Sequence, residues 1–207
     1  MQGNIIRLNK MMKKIAVVFM TATIFVVLAG CGEEKKDITS IKIDRKGNIT
    51  SVIYDDFAGE NYSQEEFETA NSARVEAYNE ECLGERITVE SVEKNEETSK
   101  IKVVMTYDSP DDYKKFNGKV LFYGTVKEAE KAGYTLTDKL VDSERKAPDK
   151  NILKKYKNKH VIIVEDKTTI FVPYNIDYVS VGARYTGKKG VDLSGCSTQL
   201  VEILLSK

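Results

Sequence analysis

Tryptophan is absent from this sequence, histidine occurs once, and proline occurs three times in 207 residues. Each shortage excludes something. Without tryptophan, the largest aromatic face for stacking on a sugar is missing. With His160 as the one imidazole, the commonest general acid–base group is scarce. No G-x-S-x-G, H-E-x-x-H or P-loop pattern occurs. Net charge is absent too: 32 basic residues balance 32 acidic ones, and a nucleic-acid binder needs a basic excess. Few prolines, 13 glycines and 9% aromatics are ordinary globular composition, which excludes collagen-like, low-complexity and wholly disordered chains. The main apolar run, residues 15–30, is 16 residues with two threonines. A permanent membrane span needs roughly 18–20 apolar residues, so this run makes a poor one.

What the N-terminal segment does have is a layout. Arg7, Lys10, Lys13 and Lys14 come first, with no acid, and the apolar run follows. Basic, then apolar, then small residues is the order of an export signal. The run ends in Leu28-Ala29-Gly30-Cys31. This matches the lipobox, in which small residues admit a peptidase and a cysteine thiol accepts a diacylglyceryl group. The chain therefore resembles the bacterial lipoproteins, in particular small ones of Gram-positive bacteria. The resemblance covers the signal and tether only. It implies lipid on Cys31, cleavage between Gly30 and Cys31, and retention on the outer face of the cytoplasmic membrane. The plain alternative is an uncleaved anchor with a chance cysteine. Met11 and Met12 directly precede Lys13-Lys14, so Met1, Met11 and Met12 all stand as starts. Two acyl chains on one residue suffice for stable anchoring.

The expected organisation is a signal at 1–30, a lipidated cysteine and polar tether at 31–37, and one extracytoplasmic domain at 38–207. That length suits a single domain with a sizeable core and is too short for a two-lobed solute-binding protein. Cys82 and Cys196 remain outside the signal. Outside the membrane they are free to form a disulfide closing a long loop, worth roughly 4 kcal/mol. The favoured reading is two buried free thiols acting as small hydrophobes, because a core of this size needs no staple.

Patterning predicts an α+β domain of about nine strands, mostly antiparallel, with three or four short helices. A hairpin opens it: Ile41 and Ile43 alternate, 45–48 turns, and 49–57 returns with Val52 and Tyr54 on one face. Ser63 and Glu66 form a capping box, with Tyr62 and Phe67 at hydrophobic-staple spacing. Phe67, Val75, Tyr78 and Cys82 make a helical stripe interrupted by Asn71, and Gly84 is the expected left-handed stop. Strands carry Ile87, Val89 and Val92, then Ile101, Val103, Met105 and Tyr107. Ser109-Pro110-Asp111-Asp112 starts a helix that Gly118 ends. Residues 120–123 read as a strand, and Thr125 with Glu128 caps another helix, closed by Gly133. Pro148 breaks the indistinct segment 134–158, where Ile152, Leu153 and Tyr156 suggest a helical turn or two. Strands follow at 161–164, 168–172, 176–181 and 199–205. Residues 165–167 read as a hairpin turn, and 186–190 as a loop.

No catalytic set emerges. His160 reads as a strand-entry residue at a sheet edge, and Ser194-Gly195-Cys196-Ser197 as a small-residue turn. With Cys31 assigned to lipid, too few cysteine and histidine ligands remain for zinc. Asp55, Asp56, Glu60 and Asn61 fit no EF-hand loop and read as solvated turn acids. No metal or cofactor is expected. Tyr54, Tyr78 and Tyr107 fall on apolar stripes, while Tyr123, Tyr174, Tyr178 and Tyr185 are less fixed and would mark a site if clustered.

Charge is the most suggestive feature. Residues 55–97 hold 14 acids against Arg74, Arg86 and Lys94. Residues 145–160 hold seven basic residues, among them Lys150, Lys154, Lys155, Lys157 and Lys159, against Asp149. The lysines suit an anionic partner, an envelope protein or a wall polymer. The plain alternative is solvated faces, or two regions that face one another. The favoured expectation is a lipid-anchored binding module of the cell envelope. An envelope hydrolase using paired carboxylates and a structural assembly subunit are the other readings.

Overall fold

The computed structural model describes residues 37–56, 63–95, 98, 100–137 and 139–207. Every described element belongs to one compact unit, Lys35–Lys207. Gly30 and Cys31 of the lipobox, and the staple residue Tyr62, lie outside the described residues.

Among the described residues the class is α+β, with twelve strands in two sheets and four helices. The strands are β1 (Ser40–Ile43), β2 (Ile49–Asp56), β3 (Ile87–Lys94), β4 (Lys100–Tyr107), β5 (Leu121–Thr125) and β6 (Leu140–Val141). They continue as β7 (His160–Val164), β8 (Thr169–Phe171), β9 (Ile176–Ser180), β10 (Arg184–Gly187), β11 (Gly190–Asp192) and β12 (Val201–Leu205). The helices are α1 (Gln64–Glu81), α2 (Pro110–Asn117), α3 (Val126–Lys131) and α4 (Ile152–Lys155). Sheet A runs β10-β11-β8-β1-β2-β4-β3, and sheet B runs β5-β7-β12-β9-β6. Pairing is antiparallel except between β1 and β8, which run parallel.

Sheet B is apolar on both faces, and that sets the layers. Ile162, Val164, Ile203 and Leu205 join Ile41, Ile101 and Val103 of sheet A in the main core. Val161, Ile163 and Leu204, one residue out of phase, join Val126, Ala129, Ile152 and Tyr156 in a second core. Strand side chains alternate between faces, so a strand buried on both sides must be continuously apolar, as residues 161–164 are.

Local chemistry places the helices. Ser63 Oγ accepts from the Glu66 N–H at 3.1 Å, and Glu66 Oε2 accepts from the Ser63 N–H at 2.8 Å. Thr125 and Glu128 repeat the device. Ser109 caps α2 behind Pro110, and Gly118 ends it in the left-handed region.

The nine expected strands are present, with three more. β6, β10 and β11 are two to four residues long, and exposed β10 shows no apolar alternation to betray it. Residues 165–167 are not a hairpin turn: β7 lies in sheet B and β8 in sheet A, so the segment crosses between sheets. In β2 the inward face carries Ile49, Ser51 and Ile53, and Val52 and Tyr54 stand half-buried on the other. The register shift between Val89 and Ser91 explains a spacing that breaks alternation. Val89 opposes Met105 and Val92 opposes Val103, both on the core face, because a bulge inserts one residue between them.

The left-handed stop of α1 is Leu83, not Gly84. The Gly84 N–H donates to Asn79 O at 3.0 Å and the Leu83 N–H to Glu80 O at 3.1 Å, with Leu83 at φ 52°. This bond pair is the Schellman motif, whose left-handed position normally holds glycine. Leu83 is 94% exposed, so its side chain contributes no burial to offset the strain. Leu83→Gly is therefore expected to raise stability by about 0.5–1 kcal/mol in urea unfolding, and a loss of stability would contradict this account.

Candidate functional site

The lysine face is built by two anchors. Ile152 and Tyr156 are 3% and 6% exposed in the second core, which pins α4 against sheet B. Lys150, Lys154, Lys155 and Lys157 are thereby left exposed, and no ion pair engages them among the described residues. The Lys127 N–H donates to Lys157 O at 3.0 Å, which brings exposed Lys127 of α3 alongside. Lys159 departs from the expected patch. Its Nζ lies 3.5 Å from Asp177 Oδ2 and 4.0 Å from the Tyr156 ring centre. Tyr156 Oη donates to the same carboxylate at 2.6 Å, and burial with that bond pushes its hydroxyl pKa up.

The described part of the acidic segment, residues 63–95, forms a separate flank at the edge of sheet A. α1 lies along β3, the last strand of sheet A, and satisfies its outer edge with side-chain amides. Asn79 accepts from the Ile87 N–H at 3.0 Å and donates to Ile87 O at 2.8 Å, and Gln64 donates to Val92 O at 3.2 Å. Covering an edge in this way blocks strand addition. Between helix and strand runs a groove of about 730 Å³, floored by Val75, Ile87 and Val89 and rimmed by Glu76, Glu80 and Glu85, with Leu83 at its end. No ion pair joins this flank to the lysine face among the described residues.

His160 opens β7, an interior strand of sheet B, so it is not at a sheet edge. Its ring stacks on Tyr123 with centres 5.1 Å apart and meets Tyr174 at 5.3 Å. Nδ1 lies 2.9 Å from Lys207 O. Arg45 and Lys207 stand 5.9 and 6.0 Å from the Tyr174 ring centre. Tyr123 Oη is buried beside Tyr174, and burial, with the Tyr174 hydroxyl next to it, pushes its pKa up to about 12. The less fixed tyrosines thus divide between two places. Tyr123 and Tyr174 flank His160, while Tyr185 Oη donates to Val141 O at 3.2 Å and Tyr178 meets Tyr156 edge-on.

Several half-buried carboxylates serve tyrosines. Asp112 accepts from Tyr78 at 2.9 Å, Asp166 from Tyr113 at 3.0 Å, and Asp177 from Tyr156. Asp55 is an exposed strand residue of β2, while Glu60 and Asn61 lie outside the described residues. Among the described residues no group of three or more His, Cys, Asp or Glu side chains is placed to hold a metal. Cys82, half-buried, and Cys196, buried, are free thiols, and no disulfide joins them. Cys82 caps α1 beside β3, and Cys196 follows β11, five strand positions away in sheet A. At about 4.8 Å per strand that separation far exceeds the roughly 7 Å that a bridge tolerates between Cα atoms.

One residue escaped the sequence reading. Glu202 is the polar member of an otherwise apolar run in β12 and is 6% exposed. Its carboxylate accepts from the Thr137 N–H at 2.9 and 3.1 Å, and burial pushes its pKa up to about 7. The visible signal was a glutamate breaking a strand apolar on both faces.

No family model matches the chain, and neither a curated protein nor a solved structure does. Among the described residues no helix is long and apolar enough to cross a membrane.

Proposed function

We propose that this protein is a lipid-anchored, extracytoplasmic binding module of the cell envelope, held on the outer face of the cytoplasmic membrane through Cys31. The lipobox Leu28-Ala29-Gly30-Cys31 supports the anchor. The observation that carries the binding role is the set of exposed lysines, Lys150, Lys154, Lys155 and Lys157, presented by α4 and its flanks without ion-pair partners among the described residues. Their partner is anionic, and the contact is electrostatic and salt-sensitive.

The test has two arms. Mass spectrometry of the membrane fraction is expected to show a chain starting at Cys31 with two acyl chains added, and Cys31→Ser to lack that mass. An unmodified Cys31 would end the anchor reading. Titration with poly(glycerol phosphate) is expected to show binding that the triple reversal K154E, K155E and K157E weakens at least about tenfold. Binding indifferent to the reversal would sink the lysine face.

A further inference from the structure

We propose that the protein associates head to tail with a second copy of itself, the lysine face of one copy meeting the α1–β3 flank of the next. The proposal rests on the lysine face being an anionic-partner surface, and it names the partner. The charges match. Residues 63–95 hold nine acids against three basic residues, and residues 145–160 hold seven basic residues against one acid. The two excesses are opposite in sign, with Lys146 and Lys159 of the basic segment paired to Glu144 and Asp177.

Placement prevents one molecule from closing these surfaces on each other. α4 packs into the second core, on the side of sheet B away from sheet A. α1 sends Val75, Phe67 and Tyr78 into the main core, on the other side of sheet B. Acidic and basic surfaces therefore face different neighbours. A contact between unlike patches is heterologous, and it repeats into a ring or a filament.

The acidic flank also offers an apolar centre. Leu83 stands in water in a left-handed conformation, at the end of a groove floored by Val75, Ile87 and Val89. A bulky side chain at positive φ is an outlier, and here the isolated copy gives it nothing to bury against. On the lysine face Leu153 packs against the second core and keeps part of its side chain exposed beside Lys154 and Lys155. Leu83 against Leu153, ringed by Glu76, Glu80 and Glu85 and by the lysines, has the apolar middle and charged rim of a protein interface. Tethering to one membrane would raise the effective concentration of copies for each other.

The experiment is sedimentation of residues 35–207, a compact unit that contains both cores. A mass above the monomer, rising with concentration, is expected at about 0.02 M salt and is lost at about 0.5 M. The reversals E76K, E80K and E85K together, or K154E, K155E and K157E together, should each weaken association at least about tenfold, and mixing the two proteins should restore it. Leu83→Asp should weaken association without lowering Tm, because no buried contact is lost. A wild type that stays monomeric to about 0.5 mM at low salt, or association unchanged in both reversals, overturns the proposal. If the wild type is monomeric while the lysine reversal still loses poly(glycerol phosphate), self-association fails and the lysine-face reading stands. If the lysine reversal changes neither measurement, both fail.

Discussion

Replacing Glu202 with glutamine is expected to stabilise the protein by about 2 kcal/mol at about pH 8 and to destabilise it by about 1 kcal/mol near pH 4, where only the amide's unpaired N–H groups count. Glu202 sits on β12, the central strand of sheet B, between β7 and β9. Its buried carboxyl accepts from the Thr137 N–H, and burial raises its pKa from 4.5 to about 7. The folded state therefore holds the proton more tightly than the unfolded chain. Below the unfolded pKa both states are protonated, and the carboxyl imposes no ionisation penalty. As pH rises from about 4.5 to about 7 the unfolded chain loses its proton first, and stability falls across that window. Above it the loss is complete, and 1.36 kcal/mol per pKa unit makes it about 3 kcal/mol. Glutamine still accepts from Thr137 and cannot ionise. Its buried N–H groups lack an assigned acceptor, which reduces the gain to about 2 kcal/mol. For a domain of this size that is a rise in Tm of about 4–8 °C. Thermal unfolding of both proteins at several pH values decides it, because other titrations cancel in the difference. A variant less stable than wild type at about pH 8 would show that the carboxylate is solvated or paired in solution.

Sequence reading succeeded at several places where one short segment contains both partners of an interaction, although the stop at Leu83 and the β10–β11 pair are local and escaped it. The capping boxes of Ser63 with Glu66 and Thr125 with Glu128 each close within four residues, and both formed as read. Alternation in β4 is as local, and its buried face is Ile101, Val103, Met105 and Tyr107. Other failures arise where the partner is distant. β8 pairs with β1 in parallel, and Thr168 Oγ1 donates to Thr39 O across 129 positions of sequence. Nothing in residues 165–167 distinguishes a crossing between sheets from a hairpin turn, since both need the same polar, flexible chain.

The candidate site divides in the same way. Lysine enrichment is compositional, so it was visible. The diversion of Lys159 depends on Asp177 of β9, a strand whose position the lysine segment does not encode. Grouping of Tyr123 with His160 depends on the register of β5 on β7, which sets Tyr123 opposite Ile162 and Thr125 opposite His160. That makes His160 and Tyr123 diagonal neighbours on one face, close enough for rings to stack. Tyr174 arrives from the loop after β8, in the other sheet.

Gly182→Ala is expected to destabilise the protein by about 2–5 kcal/mol in urea unfolding. Gly182 stands where the chain leaves β9 of sheet B for β10 of sheet A, and Gly195 where it returns from β11 toward β12. The two crossings touch. A Cβ on Gly182 would lie 2.5 Å from Gly195 O and 3.0 Å from Cys196 Cα, and a Cβ on Gly195 would lie 2.6 Å from Gly182 O. These obstacles are main-chain atoms, so no side chain can swing aside. Ala183, Leu193 and Cys196 around the contact are buried, which leaves the crossings little freedom to separate. Backbone strain adds to the clash, because Gly182 has φ 103°. A left-handed alanine costs roughly 1–2 kcal/mol, and overpacking a tight site typically 1–3 more. Gly118→Ala isolates the first contribution: its φ is 67°, and a Cβ there meets nothing within 4 Å. That variant should lose only about 1 kcal/mol. Equal losses in the two would mean that the crossings yield, and that the small residues of 194–197 are not required by this contact. A larger loss at Gly182 would give Ser194-Gly195-Cys196-Ser197 its physical meaning, a stretch kept small so that the two passages between the sheets can lie against each other.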